Sequence, residues 1–298
     1  MNGIKKSHTK VLFFSWENIP LIVLLLTTLY LIVFQGITTI WSLGISTTNK
    51  TIGGSSKFIG LGNYIRLLGN GTYRGAMWFT AIYALFTVAI KLILGFVMAI
   101  ALNKPIRGRS VIRALLFLPW ALPTLTSVLS WRWMLGDVGG IINHLLMLSN
   151  IIDSPVGWLG DLNLAKWSVI MVNVWRGTPF FGISILAALQ AIPIELYEVG
   201  DIEGANSFQK FRFITLPQTM GVVLLVTLIS TIWTLGDFSV IWLMTRGGPA
   251  NSTHVFSTLS YITAFQNLQL ARGVAISMSI LPFSIVLLVV IMKQIFKK

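Results

Sequence analysis

Residues 76–102 read Ala76-Met-Trp-Phe-Thr-Ala-Ile-Tyr-Ala-Leu-Phe-Thr-Val-Ala-Ile-Lys91-Leu-Ile-Leu-Gly-Phe-Val-Met-Ala-Ile-Ala-Leu102, an apolar run broken by a single charge. At about 1.5 Å of rise per helical residue, such a run is long enough to cross roughly 30 Å of hydrocarbon. Inside a bilayer every backbone amide must find its partner within the protein, so the run is expected to be a helix. Five further stretches of similar character lie near 18–43, 114–135, 168–192, 218–243 and 274–292. The expected fold is therefore an all-α integral membrane protein, a six-helix transmembrane bundle. Composition agrees: 55% of the 298 residues are hydrophobic and 10% charged, where soluble domains carry about 25% charged residues. The expected organisation is one transmembrane domain over 18–292, between a cytoplasmic N-terminus at 1–17 and a cytoplasmic C-terminus at 293–298. The first apolar run is too long for a cleavable signal and reads as a retained span.

A net charge of +13 is a weak pointer to nucleic acid here, because the basic residues lie between apolar segments and not on one polar domain. Lys5, Lys6, Lys10, Lys104, Arg107, Arg109, Arg113, Lys210, Arg212, Lys293, Lys297 and Lys298 fall on one side of the alternating spans. Lys50, Lys57, Arg66, Arg74, Lys166, Arg246 and Arg272 occupy the longer loops on the other side. By the positive-inside bias both termini are expected in the cytoplasm. There is no cysteine, so disulfides, thiolate metal sites and cysteine catalysis are excluded, and His8, His144 and His254 are too scattered to form a metal cluster. On the outer side, residues 58–68 have the pattern of a short amphipathic helix at the interface.

The longest cytoplasmic connection, residues 193–217, holds Glu195, Glu198, Asp201 and Glu203, four of the nine acidic residues. Pro193 can open a helix at its first turn, and Gly204 allows a sharp reversal. The spacing predicts a short helix to about Glu203, then a second that gathers Phe208, Phe211 and Phe213 and stops at Pro217. Such a surface, acidic and then aromatic, suits either a groove on a partner protein or an interfacial loop whose aromatics dip into lipid.

This segment resembles the coupling loop of ABC importer permeases of the carbohydrate, maltose- and glycerol-phosphate-type family. That loop reads Glu-Ala-Ala-x-x-Asp-Gly-Ala, an aromatic, then Ile-x-Leu-Pro. Glu198, Gly204, Ala205, Phe208, Phe211 and Ile214-Thr215-Leu216-Pro217 stand in register with it. Val199 and Gly200 replace the two alanines, Glu203 the aspartate, and Gly221 a proline that often follows; Gly200 weakens the helix by about 1 kcal/mol relative to alanine. Further likeness runs through Phe58-Ile59-Gly60-Leu61, Asn63-Tyr64, Leu118-Pro119 with Pro123, Trp175-Arg176-Gly177-Thr178-Pro179-Phe180, Leu189-Gln190 with Ile192-Pro193, and Thr245-Arg246-Gly247-Gly248-Pro249.

The resemblance implies that residues 195–213, with Glu198, Asp201, Glu203, Gly204, Ala205, Phe208, Phe211 and Pro217, couple the spans to an ATPase. It also implies two ATPase subunits, a second permease chain, an extracytoplasmic solute-binding protein, and a prokaryotic cytoplasmic membrane. No Gly-x-x-x-x-Gly-Lys-Ser/Thr loop is present, so no ATP hydrolysis and no cofactor are expected of this chain, ATP and Mg belonging to the partner.

Four charges fall within spans: Lys91, Arg132, Arg176 and Asp237. Each costs at least about 2.5 kcal/mol on insertion scales, so each is expected to face protein or water. With Trp233 and Phe238 they are candidates for a polar substrate path. Snorkelling of Arg132 and Arg176, or ion pairs that fix packing, are the alternative, and a pair between Asp237 and Arg176 is one expectation. Pro179 is expected to kink the fourth span. A secondary transporter would want an inverted repeat or an acidic relay in the membrane, and a membrane enzyme would want clustered His, Asp or Glu. Asp237 stands alone at that depth.

Overall fold

The computed structural model describes residues 18–105 and 107–295. The N-terminal segment 1–17 with Lys5, Lys6, Lys10 and His8, and Lys297 and Lys298 at the other end, lie outside the described residues. The first span is α1, Ile19–Ser46, locally widened by a π turn at Ile32–Gly36. Its outer end is clipped to the short α2, Gly62–Leu68: Asn63 Nδ2 donates to the carbonyls of Ser46 at 2.8 Å and Thr48 at 2.7 Å. Tyr64 Oη bonds Ser46 Oγ at 2.8 Å. Ile65 and Leu68 face outward while Leu67 is buried, the two-faced pattern expected of a helix lying at an interface.

The second span, α3, Gly71–Asn103, begins where the Asn70 side chain accepts the Tyr73 amide at 3.0 Å. Next come α4, Arg109–Ala121, and α5, Thr124–Met134, bent by 92° at the break between them. A straight third span over 114–135 was the expectation, and the chain departs from it for a local reason. Pro123 lacks an amide donor and pushes the residue before it out of helical space, and Leu122 is extended with ψ 141°. After the short α6, Ile141–Leu148, the fourth span α7, Leu162–Gln190, starts at Asp161. The Asp161 carboxylate accepts the amides of Leu164 and Asn163, each at 2.8 Å, which holds its pKa below the usual carboxylate value. The helix runs without interruption through Pro179, and the break between paired helices falls at Pro123.

The connection after α7 forms α8, Ile194–Ile202, and then α9, Ser207–Leu235, which is one continuous helix from the loop through the fifth span. Pro217 does not stop it. The wider π turn at Phe211–Thr215 sits immediately before the proline and accommodates its ring and its missing donor. The span does stop short of the expected 243. Gly236, Asp237 and Phe238 separate α9 from α10, Ser239–Met244. Then follow α11, Phe256–Tyr261, and the last span α12, Leu270–Gln294. Among the described residues five helices are long and apolar enough to cross a membrane, or six if the bent α4–α5 pair is one span. Among the described residues the only β pairing is an isolated bridge between Thr48 and Phe58.

The core is the α3–α7 seam, the most extensive helix contact in the chain, with α9 leaning on both. In lipid, apolar side chains gain little by leaving one apolar surroundings for another, so close backbone approach and hydrogen bonds carry the association. A Cβ at Gly95 would lie 3.2 Å from the Gly182 nitrogen, which leaves α3 and α7 no room for a larger residue there. Tyr83, Phe181, Val169 and Ile185 fill the seam and are fully buried. By contrast the apolar length of α1 is bare, an exposed surface that a soluble protein does not carry.

Candidate functional site

A cavity with about 650 Å³ of empty space opens between α3, α4, α7 and α9, lined by Lys91, Trp120, Asn173, Arg176, Gly177, Phe180, Ser230, Trp233, Thr234 and Asp237. Its position follows from the breaks in the helices. The Pro123 break brings Trp120 to the rim, and the end of α9 at Leu235 leaves Asp237 in non-helical backbone facing inward. Irregular backbone at membrane depth is tolerated where it lines a cavity.

Asp237 is the polar centre. Tyr83 Oη donates to its Oδ2 at 2.7 Å, Asn173 Nδ2 donates to the same oxygen at 2.8 Å, and the Val240 amide donates to Oδ1 at 3.2 Å. Asn173 also donates to Tyr83 Oη at 2.7 Å. The expected Asp237–Arg176 ion pair is not formed. Arg176 instead donates from Nη2 to Thr124 Oγ1 at 2.6 Å, which ties α7 to the first residue of α5. Lys91 is 4% exposed and reaches the cavity across Gly177, where a Cβ would stand 2.5 Å from Lys91 Cε and 2.8 Å from Nζ. Trp233 packs on Phe180 with ring centres 5.2 Å apart, and Trp120 lines the same cavity.

Of the candidates for the path, Lys91, Arg176, Trp233 and Asp237 share this cavity. Phe238 and Arg132 lie outside it. The Phe238 ring stacks on Trp242 at 5.4 Å and meets Tyr261 at 5.3 Å, and Arg132 Nη1 donates to the Leu243 carbonyl at 3.1 Å. Sequence reasoning missed Tyr83, Asn173 and Trp120. A polar Asn173 inside an apolar span was the available signal, since an unsatisfied amide in hydrocarbon is costly.

At the other end of α9 the 194–215 loop has a different construction. Gly204 adopts φ +76°, the left-handed conformation that reverses the chain between α8 and α9. Asn206 and Gln209 close a reciprocal capping box at the start of α9. Lys210 forms an ion pair with Asp201, the one salt bridge among the described residues. Gly200 is buried under Ile214, where a Cβ would come within 3.1 Å of the Ile214 Cδ1, so an alanine there would press on that side chain.

Two contacts tie this loop inward. Tyr197 Oη bonds Thr215 Oγ1 at 2.9 Å, and Phe211 meets Phe96 of α3 edge-on at 5.7 Å. Phe208 and Phe213 do not join Phe211 in a cluster; they are 69% and 68% exposed. Phe208, Val199 and the 86%-exposed Ile202 form a bare apolar surface beside exposed Glu195, Glu198 and Glu203. Ala205 is tied back by its amide, which donates to the Gly200 carbonyl at 2.8 Å.

The Thr245–Pro249 motif folds as a self-braced turn. Thr245 Oγ1 bonds Thr253 Oγ1 at 2.7 Å, Thr253 Oγ1 bonds the Gly248 carbonyl at 2.6 Å, and Gly247 packs on the His254 ring. Its residues act on shape and do not line the cavity.

Residues 91–298 match the family of binding-protein-dependent transport system inner membrane components. The chain belongs to that family. Relatives within reach of it include the trehalose/maltose transport system permease protein MalF of Thermococcus litoralis, 36% identical over 230 residues, 77% of this chain and 76% of the relative. The lactose transport system permease protein LacF of Rhizobium radiobacter is 35% identical over 213 residues, 70% of this chain and 71% of the relative. The fold is that of a bacterial alginate ABC transporter chain, solved in complex with an alginate pentasaccharide-bound periplasmic protein, at TM-score 0.80, 20% identity and coverage of 95% and 96%. As a member, this chain is a multi-pass inner-membrane transport component.

Proposed function

We propose that this permease is one of two membrane subunits of an ATP-driven importer for sugars or oligosaccharides handed over by an extracytoplasmic binding protein. The observation that carries the reading is the construction of residues 194–215. The loop presents exposed Val199, Ile202 and Phe208 among carboxylates, the kind of apolar patch with a polar rim that marks a protein interface. Its inner side is bonded to α3 and α9 through Phe211 and Tyr197. One of two ATPase subunits, which hold the ATP and Mg, would occupy that patch through Glu198, Asp201, Glu203, Gly204, Ala205 and Phe208, the other docking on the second permease. This chain needs no cofactor of its own. The basic residues of the connections that flank α3–α4 and α8–α9 support a cytoplasmic position for the loop and both termini.

Coupling follows from rigidity. Because α9 is continuous from Ser207 to Leu235, Phe211 and Trp233 ride on one rod about 33 Å apart at about 1.5 Å per residue. When ATP closes the ATPase pair, a displacement of the loop moves one wall of the cavity relative to α7. The chain then passes from inward-open to outward-open, and two conformations of different affinity for the cargo alternate. Trp120, Phe180 and Trp233 offer stacking faces to a sugar ring, while Asn173, Ser230 and Asp237 offer hydrogen bonds.

The test is uptake by vesicles holding this chain, the neighbouring permease and the ATPase, with the binding protein outside. Of labelled maltose, lactose, trigalacturonate and maltose 6-phosphate, at least one should enter, and only with ATP inside. Accumulation without ATP, driven by an ion gradient, would make the chain a secondary transporter and end this reading.

A further inference from the structure

Asp237 can offset at most one of the two cations that line the cavity. Its two oxygens already accept from Tyr83, Asn173 and the Val240 amide. Lys91 enters from α3, 4% exposed, with an ammonium group that has neither a hydrogen-bond acceptor nor an ion-pair partner among the described residues. Its route is built: the bare face of Gly177 leaves the space through which Cε and Nζ reach the cavity. Arg176 spends Nη2 on Thr124 Oγ1, and its buried Nε is left without a partner. The sole ion pair among the described residues is far away, in the 194–215 loop. Two cations therefore share one cavity with a single carboxylate, which leaves one positive charge in excess.

A buried charge is stable when something pairs with it, and a site that leaves donors open is complementary to the acceptor it lacks. Ammonium and guanidinium groups side by side form a donor set suited to an oxyanion, the guanidinium as a fork and the ammonium as a point charge. A cargo of neutral hydroxyls gives such a pair only weak acceptors. The aromatic wall of Trp120, Phe180 and Trp233 adds a surface for a ring. Resting on the importer reading above, we infer that the cargo passing this chain is an anionic saccharide, one bearing a carboxylate or a phosphate, with Lys91 and Arg176 holding the oxyanion while the ring stacks on the aromatic wall. Lys91 and Arg176 are then specificity-determining residues, and Gly177 is the residue that lets Lys91 reach the cavity.

The experiment is equilibrium binding of radiolabelled trigalacturonate, maltose 6-phosphate and maltotriose to the purified whole importer held with a non-hydrolysable ATP analogue. At least one anionic probe should bind about tenfold or more tightly than maltotriose, and the stronger of the two distinguishes a carboxylate cargo from a phosphate one. Lys91→Met should abolish that preference, and Lys91→Arg, which keeps the charge, should restore most of it; elution of each variant as the intact complex controls for folding. Maltotriose binding as tightly as both anions, no probe binding at millimolar concentration, or a preference that survives both Lys91→Met and Arg176→Gln would overturn the inference. Failure of the importer reading would show earlier and differently, as a chain that purifies without an ATP-hydrolysing subunit.

Discussion

The cavity and the 194–215 loop, at opposite ends of α9, are built on opposite plans. The cavity draws Lys91, Trp120, Asn173 and Asp237 from four elements separated in sequence, and its carboxylate is satisfied inside the chain. The loop is one contiguous segment whose inner side is bonded and whose outer side is bare. A cavity for cargo must hold its polar groups in fixed positions before the cargo comes. A docking loop must leave its surface unsatisfied until a partner arrives. Substitutions at the two ends are accordingly expected to separate cargo handling from partner binding.

The largest expected effect is at Gly177. Gly177→Leu would drive a side chain into Lys91, with the first added carbon 2.5 Å from Cε; overpacking of this kind costs about 1–3 kcal/mol or more. Uptake should fall by about tenfold to a hundredfold while the loop still retains the ATPase. If ATPase retention falls in parallel, the two ends are not separable. Next in size is Asp237→Asn, which turns one accepting oxygen into a donor facing Tyr83 or Asn173. An unsatisfied buried group costs about 1–3 kcal/mol, so thermal unfolding in detergent should shift down, and Tyr83→Phe in the same background should recover part of it. Recovery would show that the trio acts as a unit.

His254 lies between α10 and α11, outside the spans, and burial holds its pKa below the ordinary imidazole value. The folded state thus takes up a proton less readily than the unfolded one. Stability from this group is present above an unfolded pKa of about 6.5 and is lost as the pH falls below it. The melting temperature of the wild type should decline on acidification, and more gently in His254→Gln; equal slopes would place the acid sensitivity elsewhere. The smallest effect belongs to Asp201→Ala. The ion pair with Lys210 is exposed on the Asp201 side, and such pairs contribute about 0–1 kcal/mol. Stability should barely move, whereas ATPase retention should weaken if Asp201 belongs to the docking surface.

Legibility in the sequence follows the same division. The spans were readable because each is a run of apolar residues longer than a bilayer is thick, and the loop because its signal is local: a proline to open a helix, a glycine to turn it, acids and aromatics between. What escaped was long-range or subtle. The bend at Pro123 and the unbroken passage through Pro179 are the same residue type with opposite outcomes. At Pro123 the preceding residue moves to extended backbone, whereas α7 is packed along α3 on both sides of Pro179. The spacing makes Pro217 a stop, and the π turn before it carries the helix past the ring instead. The Asp237 partners lie 154 and 64 residues away in the chain, a pairing that no spacing rule reveals. Arg176 and Asp237 carry opposite charges in neighbouring spans, yet hydrogen bonds from Tyr83 and Asn173 claimed the carboxylate first.

The most direct test of the central claim is a co-purification from the native host with an affinity tag on this chain, wild type beside Gly204→Trp. Gly204 stands at φ +76°, where any L side chain is strained by about 1–2 kcal/mol, and open space around it places the new ring on the outer surface of the loop without disturbing the bundle. The account predicts that wild type brings down an ATP-hydrolysing subunit and a second permease, and that Gly204→Trp keeps the second permease and loses the ATPase. A wild-type chain that purifies alone and still moves solute without ATP, or a variant that retains its ATPase in full, would contradict it.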